Sequence, residues 1–124
     1  MENPIRVLVA NGPRLMRDLI LTTFSDQPDI EIVGEVPDEA DILEKVTTTN
    51  PDLVVLAQYA LEERPDICAI VLRARPDVRI ITVAPHHSYL VHYWASPDIQ
   101  SRRTEASEEA LLRVVRSKPI RGVA

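Results

Sequence analysis

A short apolar run in the middle of the chain limits the kinds of fold that this sequence can form. It reads Asp52-Leu53-Val54-Val55-Leu56-Ala57, with four consecutive large hydrophobic residues after Pro51-Asp52. Because polar residues do not alternate within it, the run predicts a strand buried on both faces, as in a parallel sheet covered by helices. In such sheets, ligands and chemistry lie at the carboxyl ends of the strands. Here that end carries Ala57, whose methyl group can neither attack, donate nor coordinate.

The rest of the chain alternates between strand-like and helix-like patterns. Apolar and β-branched runs predict further strands at 5–10, 30–36, 78–83 and 99–103. Apolar residues at helical spacing predict helices at 14–24, 38–46, 66–74 and 88–95, and a last one from 107. We expect Asp38 and Ser107 to be N-caps, and the threonines at 47–49 with Asn50-Pro51 to end the second helix.

Five strands alternating with five helices predict an α/β fold. The common small solution is a flavodoxin-like (βα)5 doubly wound parallel sheet with strand order 2-1-3-4-5. The 124 residues suit a single domain spanning 1–124, with its core at about 4–118 and a tail or start of a linker at 119–124. The expected ligand site then lies at the ends of the first and third strands, which carry Asn11, Gly12 and Ala57.

The distribution of charge argues against a nucleic-acid-binding domain. The formal net charge is −5, but residues 101–124 carry +3, so the remainder carries −8. An acidic body with a basic end suits either the docking of a partner protein or ordinary solvated helix faces. The single cysteine, Cys68, lies in an apolar stretch and is expected to be a small buried residue. We predict no cofactor, no membrane contact and a cytoplasmic location.

In order and spacing, several segments together resemble a response-regulator receiver domain, in particular the branch that carries a helix-turn-helix (LuxR-type) output domain. The resemblance covers nearly the whole chain. The segments that carry it are 5–17, Ile-Glu-Ile-Val-Gly-Glu at 30–35, 51–56, Pro-Asp-Val-Arg-Ile at 76–80, and Ala-Ser-Glu-Glu at 106–109.

The resemblance implies a phosphorylation site whose chemistry this chain lacks. Receiver domains of this kind hold Mg²⁺ with an acidic pair after the first strand and phosphorylate an aspartate at the end of the third. A hydroxyl residue and a lysine contact the phosphoryl oxygens, and an aromatic switch residue lies nearby. The corresponding residues here are Asn11 and Gly12 for the acidic pair, Ala57 for the acceptor, Ala84 for the hydroxyl, Thr104 for the lysine and Ser101 for the switch. We therefore predict a degenerate receiver that does not accept a phosphoryl group.

In this family the surface of helix four, strand five and helix five mediates dimerisation. In this sequence that surface is expected to contain aromatic and basic residues, namely Tyr89, Tyr93, Trp94, Arg102, Arg103, Arg113 and Arg116. Core packing is the alternative explanation for the aromatic residues. The adjacent His86 and His87, with His92 nearby, lack the spacing of a metal site and are expected to be exposed loop residues.

These patterns lead to two hypotheses of function. The first is a phosphorylation-independent module that binds a protein partner or a second copy and regulates an output domain. The alternative is a small-molecule sensor that uses space left at Gly12, Ala57 and Ala84. An enzyme is not predicted, because the sequence has no nucleophile–base pair, metal cluster or glycine-rich phosphate loop.

Overall fold

The computed structural model describes residues 4–10, 14–57, 66–84, 89–95, 98–105 and 107–116. Within these residues six strands form one sheet: β1 (Ile5–Ala10), β2 (Ile30–Val36), β3 (Leu53–Ala57), β4 (Arg79–Val83), β5 (Tyr89–Ala95) and β6 (Ile99–Glu105). The helices are α1 (Arg14–Ser25), α2 (Ile42–Thr49), α3 (Asp66–Ala74) and α4 (Glu108–Arg116), and a 3-10 turn, Glu39–Asp41, precedes α2. No helix in this part of the chain is long and apolar enough to cross a membrane.

The strands lie in the order β2-β1-β3-β4-β5-β6. The first four are parallel to one another, so the predicted order 2-1-3-4 and the α/β class are confirmed. β3 lies inside the sheet, and all five of its residues are buried, as its uninterrupted apolar sequence predicts. β2, which alternates in polarity, forms one edge of the sheet.

Helices cover both faces of the sheet, and each face has its own apolar core. On one face α2 and α3 pack through residues such as Ile42 and Val71. On the other face α1 and α4 pack through residues such as Phe24 and Val115. Cys68 is fully buried beside α3's other apolar residues, as predicted.

The helix predicted at 88–95 is wrong, because this segment forms strand β5. β5 pairs antiparallel with β4, through pairs such as Ile81 with His92. It then turns back into β6, again antiparallel. The segment contains Tyr89, Tyr93 and Trp94, and aromatic residues favour a pleated and partly buried strand. The last strands of the sheet therefore form a hairpin in place of the predicted fourth βα unit.

The start and end of α2 also differ from the prediction. The Asp38 carboxylate accepts a hydrogen bond from the Ala40 N–H at 3.0 Å, but it caps the 3-10 turn and not α2 itself. The threonines do not end the helix. Thr47 and Thr49 donate their hydroxyls to carbonyls one turn earlier. Asn50 ends it in a left-handed conformation, with φ of 51°.

Candidate functional site

The carboxyl ends of β3 and β4 lie side by side, because Ala57 pairs with Val83. Ala84 follows directly. Both alanines are 4% exposed. The structure thus brings together two of the residues that the resemblance aligns with a phosphorylation site, and neither side chain offers a nucleophile or a hydroxyl. Asn11 and Gly12 lie outside the described residues.

Thr104 lies level with the carboxyl ends of β3 and β4, but it is not next to Ala84. It pairs with Leu90 on β5, and Leu90 pairs with Val83 on β4. Two strand spacings, about 10 Å, therefore separate Thr104 from β4. The sequence predicted that the strand at 99–103, which is β6, lies next to β4. In the structure β5 lies between them, so Leu90 is the residue beside Val83 of β4. Ser101 is exposed on β6, opposite Tyr93, so it lies on the other face of the sheet from Thr104.

The residue types at these strand ends do not fit a magnesium-dependent phosphoryl site. Mg²⁺ prefers hard oxygen ligands, which alanine lacks. The chain has two lysines, of which Lys45 lies on α2 and Lys118 outside the described residues. In the described ranges, no three His, Cys, Asp or Glu side chains gather as a metal site.

One of the three aromatic residues expected at an interface, Tyr93, belongs to the interior. Tyr93 is 5% exposed and packs in the core with α2 and α3. Trp94 is half-buried, and its indole nitrogen is buried without a hydrogen-bond partner among the described residues. Tyr89 begins β5, opposite Glu105. Core packing therefore accounts for Tyr93, and the basic residues become the stronger candidates for a partner-binding surface.

The four arginines of the expected interface have different surroundings. Arg102 and Arg103 are exposed near the middle of β6, and Arg113 is exposed on α4. Arg116 is held by the loop before β2: its Nε donates to the Asp29 carboxylate at 2.8 Å, and a terminal nitrogen donates to Gln27 at 2.6 Å. This ion pair lowers the pKa of Asp29.

His92, which the sequence analysis named only as a neighbour of the loop histidines, is buried in β5, and this burial was not predicted. It is 5% exposed, and its Nε2 has no hydrogen-bond partner among the described residues. Its ring centroid lies 5.2 Å from that of Trp94. Burial, reinforced by the charges of Arg79 and Arg102, lowers the pKa of His92 to about 4. A strand prediction for 89–95 would have placed His92 on one face with Leu90 and Trp94.

Arg79 was also missed as a structural residue. It lies at the start of β4 and donates to the last carbonyls of α4, with a terminal nitrogen 3.0 Å from the Val115 oxygen. Helix carbonyls at this end lack partners within the helix, and a cation there also complements the helix dipole. Arg79 therefore fixes the end of α4 against the sheet and places a positive charge near His92.

Comparisons with known proteins agree with this architecture. No family model matches the chain. Among solved structures, the signal receiver domain of the putative response regulator NarL from Mycobacterium tuberculosis matches with a TM-score of 0.57 and 23% identity, over 69% of this chain and 70% of that one.

Curated relatives match a smaller part of the chain. A protein-glutamate methylesterase/protein-glutamine glutaminase of Geobacter metallireducens is 38% identical over 53 residues, which are 43% of this chain and 15% of that protein. The corresponding protein of Chromohalobacter salexigens is 32% identical over 76 residues, 60% of this chain and 22% of that protein. The matches thus span less than a quarter of these relatives' length.

Proposed function

We propose that this chain is a CheY-like receiver domain that acts as a phosphorylation-independent signalling module without enzymatic activity. It would bind a protein partner, or a second copy, through the surface of β6 and α4 and so regulate an output domain. The observation that carries the proposal is the pair of buried alanines, Ala57 and Ala84, at the strand ends where the resemblance implies the acceptor and its hydroxyl clamp.

The chemistry of phosphoryl transfer supports this proposal. The reaction needs a carboxylate nucleophile and fixed groups that stabilise the charge of the transition state. Ala57 cannot meet the first requirement, because it has no carboxylate. Leu90, which occupies the strand position next to β4, cannot supply the cation that the resemblance places there. Both the acceptor carboxylate and the cation, which would have to act together in phosphoryl transfer, are therefore missing from these positions.

The ligand-sensing alternative has less support. A small molecule would need space at the vacated strand ends. Ala57 and Ala84 are each 4% exposed, so these two side chains offer little surface to a bound molecule. Arg102, Arg103 and Arg113 are exposed on β6 and α4, away from these alanines, which favours an interaction module.

Incubation of the chain with Mg²⁺ and beryllofluoride tests the loss of phosphorylation. We expect no change in its amide NMR spectrum, because no carboxylate is available at the acceptor position. A receiver domain known to be phosphorylated serves as the positive control. Saturable binding with a conformational change would contradict the proposal.

Light scattering and partner capture test the interaction role. We expect either a dimer or a specific complex that the exposed-charge variant Arg113→Glu weakens. Arg73→Glu, an exposed charge reversal on α3, is the matched control and should have no effect. A strict monomer at high concentration that captures no partner would contradict the interaction role.

A further inference from the structure

The free edge of β6 is an interaction surface of a specific kind. β6 is 7 residues long, and it forms one edge of the sheet with β5 as its only strand neighbour in the described chain. In an antiparallel pair, alternate residues direct their N–H and C=O groups away from the partner strand. An edge strand of this length therefore presents a row of backbone donors and acceptors to another extended chain.

Two adjacent arginines mark the middle of this edge. Arg102 and Arg103 are both exposed. Successive strand residues point to opposite faces, so Arg102 lies on the α4 side, opposite His92, and Arg103 lies on the α3 side, opposite Val91. The Arg102 guanidinium makes no hydrogen bond or ion pair with any described residue. A segment added to the edge would thus meet one guanidinium on each face.

The charges argue against a second copy of β6 at this edge. In the antiparallel register that overlaps the whole strand, Ile99 faces Glu105 and Arg102 faces Arg102 of the other copy. Like charges directly opposite one another destabilise a strand pair. The same arginines favour a strand that carries carboxylates at the facing positions, since charge complementarity selects partners as well as rejecting wrong ones.

We propose that the β6 edge binds an extended acidic segment of a partner protein by strand addition, with two consecutive acidic residues placed opposite Arg102 and Arg103. The backbone of the segment extends the sheet by one strand, and its two carboxylates pair with one arginine on each face. Burial first, and then the charges of Arg79 and Arg102, lower the pKa of His92, so two guanidinium groups act on this part of the sheet. The inference rests on the proposed interaction role and names the partner's chemistry.

A labelled peptide as long as β6, made of threonine and valine with a central Asp-Glu pair, tests the charge requirement. We expect it to bind the full chain by fluorescence anisotropy, and the Asn-Gln version to bind about tenfold more weakly. Arg102→Glu should weaken binding of the acidic peptide to a similar extent. A Lys-Lys version of the peptide should then bind this variant better than it binds the original chain. Arg73→Glu on α3 changes net charge equally and should leave binding unaltered.

Backbone methylation tests whether the peptide adds as a strand. Only alternate N–H groups of an added strand face the edge. Of two Asp-Glu peptides N-methylated at complementary alternate positions, one should lose binding and the other should keep it. Equal effects of the two patterns would show ordinary charge attraction and would overturn the proposal.

The outcomes separate this inference from the proposed function. If the acidic peptide fails to bind while the chain still forms a complex that Arg113→Glu weakens, the interaction role stands and the β6 inference is wrong. Self-association that Arg102→Glu abolishes would also overturn it, because a second copy would then occupy the edge. If the acidic peptide binds as described while beryllofluoride changes the chain, phosphorylation independence alone fails.

Discussion

His92 couples the stability of the fold to pH. The folded chain lowers its pKa from 6.5 to about 4, first through burial and then through Arg79 and Arg102. The fold thus favours the neutral imidazole over the charged form. The neutral His92 side chain makes its full contribution to stability above about pH 6.5, which is the pKa in the unfolded chain. This contribution is lost as the pH falls toward 4.

Because of His92, we expect the free energy of unfolding to fall by about 2 kcal/mol as the pH falls from about 8 to 5. Urea denaturation followed by the fluorescence of Trp94, the one tryptophan, measures it. His92→Gln, which cannot titrate, should remove this part of the pH dependence. His87→Gln should keep it. Identical pH dependences for the original chain and His92→Gln would contradict the assignment.

Arg116 controls the ionisation of Asp29. Its guanidinium contacts both carboxylate oxygens, at 2.8 and 3.0 Å, and lowers the pKa of Asp29. In Arg116→Ala we expect that pKa to rise, which an NMR titration of the carboxyl carbon detects. Arg113→Ala removes another α4 arginine and should leave the pKa of Asp29 unchanged. An unshifted Asp29 pKa in Arg116→Ala would mean that the ion pair does not form in solution.

At the scale of single elements, α4 illustrates a local signal that the structure confirms. Ser107 precedes the helix, and its hydroxyl accepts a hydrogen bond from the Ala110 N–H at 2.9 Å. The first-turn acids Glu108 and Glu109 add a favourable interaction with the helix dipole. These features depend on neighbours in the sequence, which is why the start of this helix was predictable.

Loss of the Ser107 cap should weaken this helix. We expect Ser107→Ala to lower the free energy of unfolding by about 1 kcal/mol, because one N–H of the first turn loses its acceptor. Ser107→Thr keeps a hydroxyl and should retain most of the stability. Thermal unfolding of the three chains provides the comparison. Equal losses for both variants would show that the hydroxyl is not the stabilising group.

β5 illustrates the opposite case, in which local pattern was not enough. Its apolar residues at Leu90, Val91, Tyr93 and Trp94 fit helical spacing over a short window, and short apolar runs do not separate helix from strand. Pairing with the open edge of β4 makes this segment a strand and not a helix. Pairing there satisfies the backbone groups of both strands and buries Leu90, Val91 and Tyr93.

At the scale of the whole molecule, the domain should fold without a metal ion. A receiver with a working site holds several carboxylates close together, and their repulsion is relieved by Mg²⁺. The resemblance places Asn11, Gly12 and Ala57 at these positions, and none of them carries a charge. We expect the melting temperature to be the same in EDTA and in millimolar Mg²⁺. Na₂SO₄ at matched ionic strength controls for general salt effects, and a clear rise with Mg²⁺ alone would contradict the prediction.

The sequence by itself determined the four parallel strands of the sheet and the inert end of β3. The apolar run Leu53–Ala57 predicted a buried strand, as observed. The bounds of β1, β2 and α3 were also predicted as observed, because apolar runs and helical periodicity encode these elements locally. Only the tertiary structure decided the β5–β6 hairpin, the placement of Thr104 two strands from β4, and the burial of His92. These depend on which strand pairs with the edge of β4, a choice between distant segments that local periodicity does not encode. The same choice makes β6 an edge of the sheet, with Arg102 and Arg103 exposed along it.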